Sequence, residues 1–82
     1  MYNIIFSQKA ERFLDKLNDL DKERIIRALE RIRIRPENFL EKLVGESGYK
    51  FRVGDYRLFI DLNHDNLLIM VIEIGHRKNV YK

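Results

Sequence analysis

Cysteine and tryptophan are absent from the 82 residues, proline occurs once and glycine four times. Without cysteine there are neither disulfides nor thiolate metal ligands, so an apolar core must hold the chain together. The same absence is the pattern of intracellular proteins, and a cytoplasmic location is expected. Long apolar runs are missing as well. The longest, Leu67 to Ile72, falls far short of the roughly 20 residues that span a bilayer, so no membrane association is expected. The opening Met1-Tyr2-Asn3-Ile4-Ile5-Phe6 has no basic region and leads straight into charged sequence, which does not fit a signal peptide. The two histidines stand apart with no further ligand spacing around them, so no metal site is expected.

What is present fits a folded protein. Apolar residues make up 45% and charged residues 35% of the chain, a globular rather than a disordered balance. A chain of this length makes one domain, residues 1–82. The net charge is only +3, but its placement is uneven. Nine of the 13 acids precede Tyr49, whereas the last third has six Lys/Arg against four acids. That excess favours a polyanionic partner.

The hydrophobic period gives the elements. Tyr2 to Phe6 is β-rich and reads as a strand, after which Ser7 offers an oxygen for a helix N-cap. Ala10, Phe13, Leu14 and Leu17 follow helical spacing. Asn18-Asp19-Leu20-Asp21 is a turn whose last residue is suited to cap a second helix, from about Lys22 to Arg35. Ile25, Ala28, Leu29 and Ile32 form its apolar stripe, and Pro36 stops it. Residues Glu37 to Gly48 form a connector with a helical turn near Phe39-Leu40. The period then changes to two: Tyr49 to Val53, a turn at Gly54-Asp55, Tyr56 to Leu62, a turn at Asn63-His64-Asp65-Asn66, and Leu67 to Ile74. The last run is mostly apolar and therefore central. The expected fold is a two-layer α+β domain: an N-terminal strand, an αα-hairpin, then a three-stranded antiparallel meander (β-α-α-β-β-β).

Strand alternation sorts the side chains of the meander. Tyr49, Phe51 and Val53 share a face with Tyr56, Leu58, Ile60 and Leu62, which must meet the helices. Lys50, Arg52 and Arg57 then lie on the open face with Phe59 and Asp61. Surface Lys and Arg are ordinary on such a face. Here they converge from separate segments, with His76, Arg77 and Lys78 following the last strand and Tyr81 close behind. Arg24, Arg27, Arg31 and Arg35 make a second basic feature. At their spacing they fall within a helical strip about 80° wide, suited to RNA phosphates or, more plainly, to solvent. His64 sits in a polar turn and reads as structural.

Two stretches, Tyr49-Lys50-Phe51-Arg52-Val53-Gly54-Asp55-Tyr56-Arg57-Leu58 and Ile74-Gly75-His76-Arg77-Lys78-Asn79-Val80-Tyr81, together resemble the RelE/ParE toxin superfamily, its RelE branch best. The order of elements agrees along the whole chain. The resemblance implies the toxin of a toxin–antitoxin pair, an mRNA interferase that cleaves the codon in the ribosomal decoding site. Its nucleophile is the 2′-hydroxyl of the message, so neither metal nor other cofactor is required. By position it assigns catalytic work to Lys50, Arg52, Arg57, Arg77 and Tyr81. The sequence departs from the branch at His76, where lysine is found, and in the short spacing from Arg77 to Tyr81. In-line attack needs a base, an acid for the leaving oxygen and cations for the phosphorane. The base would be Lys50 or Tyr81 and the acid Arg52 or His76, with Arg57 and Arg77 stabilising charge. Arg24, Arg27, Arg31, Arg35 and Lys78 would contact small-subunit ribosomal RNA. The implied partners are a RelB-like antitoxin, the ribosome and mRNA. The rival reading is a ParE-like poison of DNA gyrase, which shares the fold and needs no nuclease cluster.

Overall fold

Ile4 and Phe6 alternate with Asn3 and Ile5, so that one pair joins the core and the other faces outward, forming strand β1 (Asn3–Phe6). The computed structural model describes residues 1–76; Arg77, Lys78 and Tyr81 lie outside the described residues. Ser7 turns the strand into helix α1 (Gln8–Asp15) by accepting the Ala10 N–H at 3.0 Å, the N-cap anticipated from its hydroxyl. Ala10 and Leu14 of that helix are buried.

Helix α2 (Asp19–Arg31) starts earlier than the spacing predicts. Its cap is Asn18 rather than Asp21, with Oδ1 accepting the Asp21 N–H at 2.8 Å. The helix also ends earlier, at Arg31 instead of Arg35. Arg33 explains this: its carbonyl accepts the Tyr2 N–H at 2.8 Å, and its Nε–H donates to the Tyr2 carbonyl at 2.7 Å. Those bonds draw the chain onto the start of β1 before Pro36 can act. Pro36 then begins a 3₁₀ turn (Pro36–Asn38), where the sequence suggested a helical turn a few residues later.

The remaining elements are strands β2 (Glu41–Lys42), β3 (Tyr49–Val53), β4 (Tyr56–Asn63) and β5 (Leu68–His76). Strand β2 was not expected; two residues are too few to show a period. Gly54 takes φ +58° between β3 and β4, a left-handed position at which glycine has no Cβ to clash. The sheet order is β1-β5-β4-β3-β2. Strand β1 lies parallel to β5 and all other pairs are antiparallel. The expected meander is therefore present, joined by β1 and extended by β2. Ile25 and Leu29 of α2, with Ile32 just after it, share one core with Leu58, Ile60, Ile69 and Val71 of the sheet, which makes the architecture two-layer α+β. No helix among the described residues is long and apolar enough to cross a membrane.

Tyr56 clamps the layers together. Its ring lies edge-on to Phe13 of α1, centroids 6.0 Å apart, and its hydroxyl donates to Asp21 Oδ2 of α2 at 2.8 Å. The bond to Asp21, and secondarily burial, raises the phenol pKa. A group whose folded pKa is raised contributes stability below its ordinary pKa, about 10 for tyrosine, and loses it as pH climbs through the folded value. Tyr56→Phe should thus lower stability near neutral pH by about 1 kcal/mol. It should also flatten the decline seen above about pH 10. Urea unfolding at neutral and alkaline pH tests both; a variant that declines as steeply as wild type would remove the Asp21 bond as the cause.

Candidate active site

Burial of Val53, Tyr56, Leu58 and Ile60 turns Lys50, Arg52, Arg57 and Phe59 to the face away from the helices. In the β3–β4 ladder Arg52 stands directly opposite Arg57, and Lys50 opposite Phe59. Three cations therefore occupy neighbouring rungs on one side of the sheet, as the alternation predicts. Their exposure differs from expectation. Arg52 is exposed, but Arg57 is only 5% exposed. Strand β4 lies between β3 and β5, so its side chains are walled on both sides, whereas β3 beyond Lys50 has no strand on its outer side among the described residues.

Like charges directly opposite in a ladder are destabilising. Two guanidinium groups in that relation form a natural seat for an anion, since planar forks present parallel N–H donors to phosphate oxygens. Lys50 is held differently: its Nζ lies 3.2 Å from Glu41 Oε1. The unforeseen strand β2 places Glu41 opposite Lys50, so an acid moderates the cluster where few acids were expected.

His76 lies on the other side of the sheet. Strand β5 continues through Gly75 instead of ending at Ile74, and His76 pairs with Tyr56. The two rings meet edge-on with centroids 5.4 Å apart, on the face that carries buried Ile74 and Leu58. The sequence grouped His76 with the cations because it read the residue as a loop position. Arg77, Lys78 and Tyr81 lie outside the described residues.

Helix α2 brings a second set of arginines to the sheet. Arg24, Arg27 and Arg31 line a cleft of about 570 Å³ with Arg52, over an apolar floor that includes Ala28, Ile32, Phe51 and Val53. Arg27 pairs with Glu23 one turn before it. Arg35 has left the helix and flanks the 3₁₀ turn, so the four-arginine strip becomes three. Sequence reasoning missed that Arg52 joins both basic features, and missed Phe39 on the cleft rim, 58% exposed. No local signal reveals which strand edge a helix will face.

His64 serves the fold. Its Nδ1 is 2.9 Å from the Tyr2 hydroxyl and 3.7 Å from Glu37 Oε2, linking the β4–β5 turn, the chain start and the 3₁₀ turn. Burial, then Glu37 and Tyr49, raise the Tyr2 phenol pKa. Among the described residues no three His, Cys, Asp or Glu side chains converge as a metal site would require.

The fold and its cationic sheet face define a small toxin of the type that works in pairs with an antitoxin. The family model described as ParE toxin of type II toxin–antitoxin system, parDE, matches residues 4–81, and the chain belongs to that family within the RelE/ParE superfamily. Among solved structures, the isolated Escherichia coli RelE toxin is 26% identical with a TM-score of 0.80, covering 99% of this chain and 92% of its own. A chain of the intact Escherichia coli RelBE toxin–antitoxin complex is 25% identical with a TM-score of 0.79, covering 93% and 96%. A chain of the RelBE2 toxin–antitoxin complex of Mycobacterium tuberculosis has a TM-score of 0.82 at 24% identity, covering 93% and 98%, a likeness of fold. No curated protein matches the sequence significantly.

The opposed arginines make a physical prediction independent of function. Arg52→Met should stabilise the protein at low ionic strength by about 0.2–1 kcal/mol, a few degrees in Tm. The gain should shrink at high salt, which screens the repulsion. Added phosphate should raise the melting temperature of the wild type more than that of the variant. A variant that melts below wild type at every salt concentration would show that no repulsion is relieved.

Proposed function

We propose that this protein is a ribosome-dependent endoribonuclease that cleaves mRNA in the decoding site by 2′-hydroxyl attack. The observation that carries the reading is Arg52 standing opposite Arg57, with Lys50 on the same face. Attack by the 2′-oxygen forms a bond to phosphorus while the bond to the 5′-oxygen breaks, through a phosphorane with added negative charge. Arg57 and Arg77 stabilise that charge, since preorganised donors act most strongly where charge develops. Lys50 or Tyr81 takes the 2′-proton. The leaving 5′-oxygen receives its proton from Arg52, because His76 stands on the opposite face. No step in this chemistry calls for a metal or cofactor.

Arg24, Arg27 and Arg31 dock on small-subunit ribosomal RNA in this reading, with Arg35 and Lys78 at the margins. The partner that restrains the toxin is a RelB-like antitoxin, in keeping with the relatives solved as RelBE complexes. An acidic amphipathic segment suits the cleft beneath those arginines, where an apolar floor lies under a cationic rim. Acting on ribosomes, the protein would work in the cytoplasm.

Ribosomes paused on a defined message, with primer extension to map ends, test the activity. The wild type should cut within the decoding-site codon and leave the same message intact without ribosomes. Arg57→Ala, with folding verified by circular dichroism, should cut at least about 100-fold more slowly. Wild-type rates in a folded Arg57→Ala variant would sink the mechanism. The match of residues 4–81 to the ParE model favours a second reading, a gyrase poison without nuclease activity. Inhibition of gyrase supercoiling, with no ribosomal cleavage, would establish it.

A further inference from the structure

On the sheet face that carries the cations, a smaller concavity of about 150 Å³ opens beside them. Phe59 and Asp61 of β4, Ile72 of β5, and Leu43 and Gly48 of the β2–β3 connector bound it.

Its position is set by two features of the ladder. Phe59 stands opposite Lys50 and two residues from Arg57, so the ring shares their side of the sheet. The register shifts between Phe59 and Ile60: Phe59 pairs with Glu73 and Ile60 with Val71, leaving Ile72 as the extra residue. Such bulges re-aim side chains, and here Ile72, 43% exposed, joins Phe59 in the concavity. Gly48 closes it tightly; a Cβ there would lie 2.9 Å from Asp61 Oδ1.

The chemistry is polarised. Lys50 stands across from Phe59 on β3 and Arg57 two residues before it, while Asp61 lies two residues after it and Glu73, paired with Lys9, stands across on β5. A nucleotide satisfies both ends at once, with its phosphate toward Lys50, Arg52 and Arg57 and its base toward Phe59 and Asp61. Aromatic rings beside cations are the recurrent means of holding single-stranded RNA, and a carboxylate accepts from the amino or imino groups of a base edge.

We propose that Phe59 stacks on a base of the RNA next to the scissile phosphate, and that Asp61 accepts a hydrogen bond from that base. Phe59 is thus a substrate-positioning residue and Asp61 a specificity residue. The inference rests on the ribonuclease reading for its role in catalysis, but its binding claim is separable.

Two measurements test it on the full-length protein: anisotropy of a labelled single-stranded hexaribonucleotide, and cleavage kinetics on paused ribosomes. Phe59→Leu keeps apolar bulk without a stacking face, and Phe59→Tyr keeps the face. The leucine variant should melt like wild type yet bind the oligonucleotide about 5- to 100-fold more weakly, with KM on ribosomes raised in step. The tyrosine variant should stay within about twofold of wild type, since every aromatic ring offers a π-face. Asp61→Asn should reorder rates among messages that differ by one base. Cleavage unaffected by Phe59→Leu would overturn the platform and leave the ribonuclease reading standing. Binding that depends on an aromatic, in a protein that never cuts, would keep the platform and overturn the ribonuclease. Equal losses in the leucine and tyrosine variants would also overturn stacking.

Discussion

Burial of Leu58 and Ile60 in one core with Ile25 and Leu29 of α2 is the constraint from which the rest of the structure follows. A strand alternates its side chains strictly, and a slip of one residue would exchange the two faces. Once those two apolar residues are inside, Arg57 and Phe59 have no choice but the opposite face. The β3–β4 register then sets Arg52 against Arg57 and Lys50 against Phe59. The cationic row is therefore a consequence of core packing. The backbone positions of the row are fixed by the same packing that forms the core.

That packing comes with a local conflict. Arginines stand opposite one another, one of them nearly buried, and like charges so placed cost a ladder stability. Lys50 is relieved by Glu41, but that pair sits at the far end of β3, where β2 contributes two residues. A protein selected for stability alone would place an acid or a threonine across from Arg57. Departures of this kind, in a sequence otherwise consistent with its fold, mark places kept for function.

Much of this was readable without coordinates because it is local. The Ser7 cap, the apolar stripes of both helices and the face shared by Lys50, Arg52 and Arg57 each depend on spacing within a few residues. One miss is local, the choice between Asn18 and Asp21 as the cap of α2; the larger ones are long-range. Arg33 binds Tyr2 across 31 residues, which shortens α2 and moves Arg35 off its strip. Strand β2 exists because β3 offers an edge, and nothing in Glu41-Lys42 announces it. Gly75 looked like the end of a strand, as glycine often is, yet pairing with Arg57 carries the ladder on to His76. One residue of parity then decides which face the histidine takes.

Arg52 holds a special place in this arrangement because it belongs to two basic features at once. It stands in the sheet row opposite Arg57, and it lines the cleft with Arg24, Arg27 and Arg31. On a protein of net charge +3, cations gathered around one strand edge produce a directional field, and clefts with apolar walls focus it. Arg52 is the residue common to both features, so a polyanion approaching either is drawn toward the same strand edge. If the protein acts on ribosomes as proposed, RNA against α2 and a message on the sheet would meet at that edge. An acidic antitoxin segment in the cleft, where the proposed function seats it, would occupy the same edge.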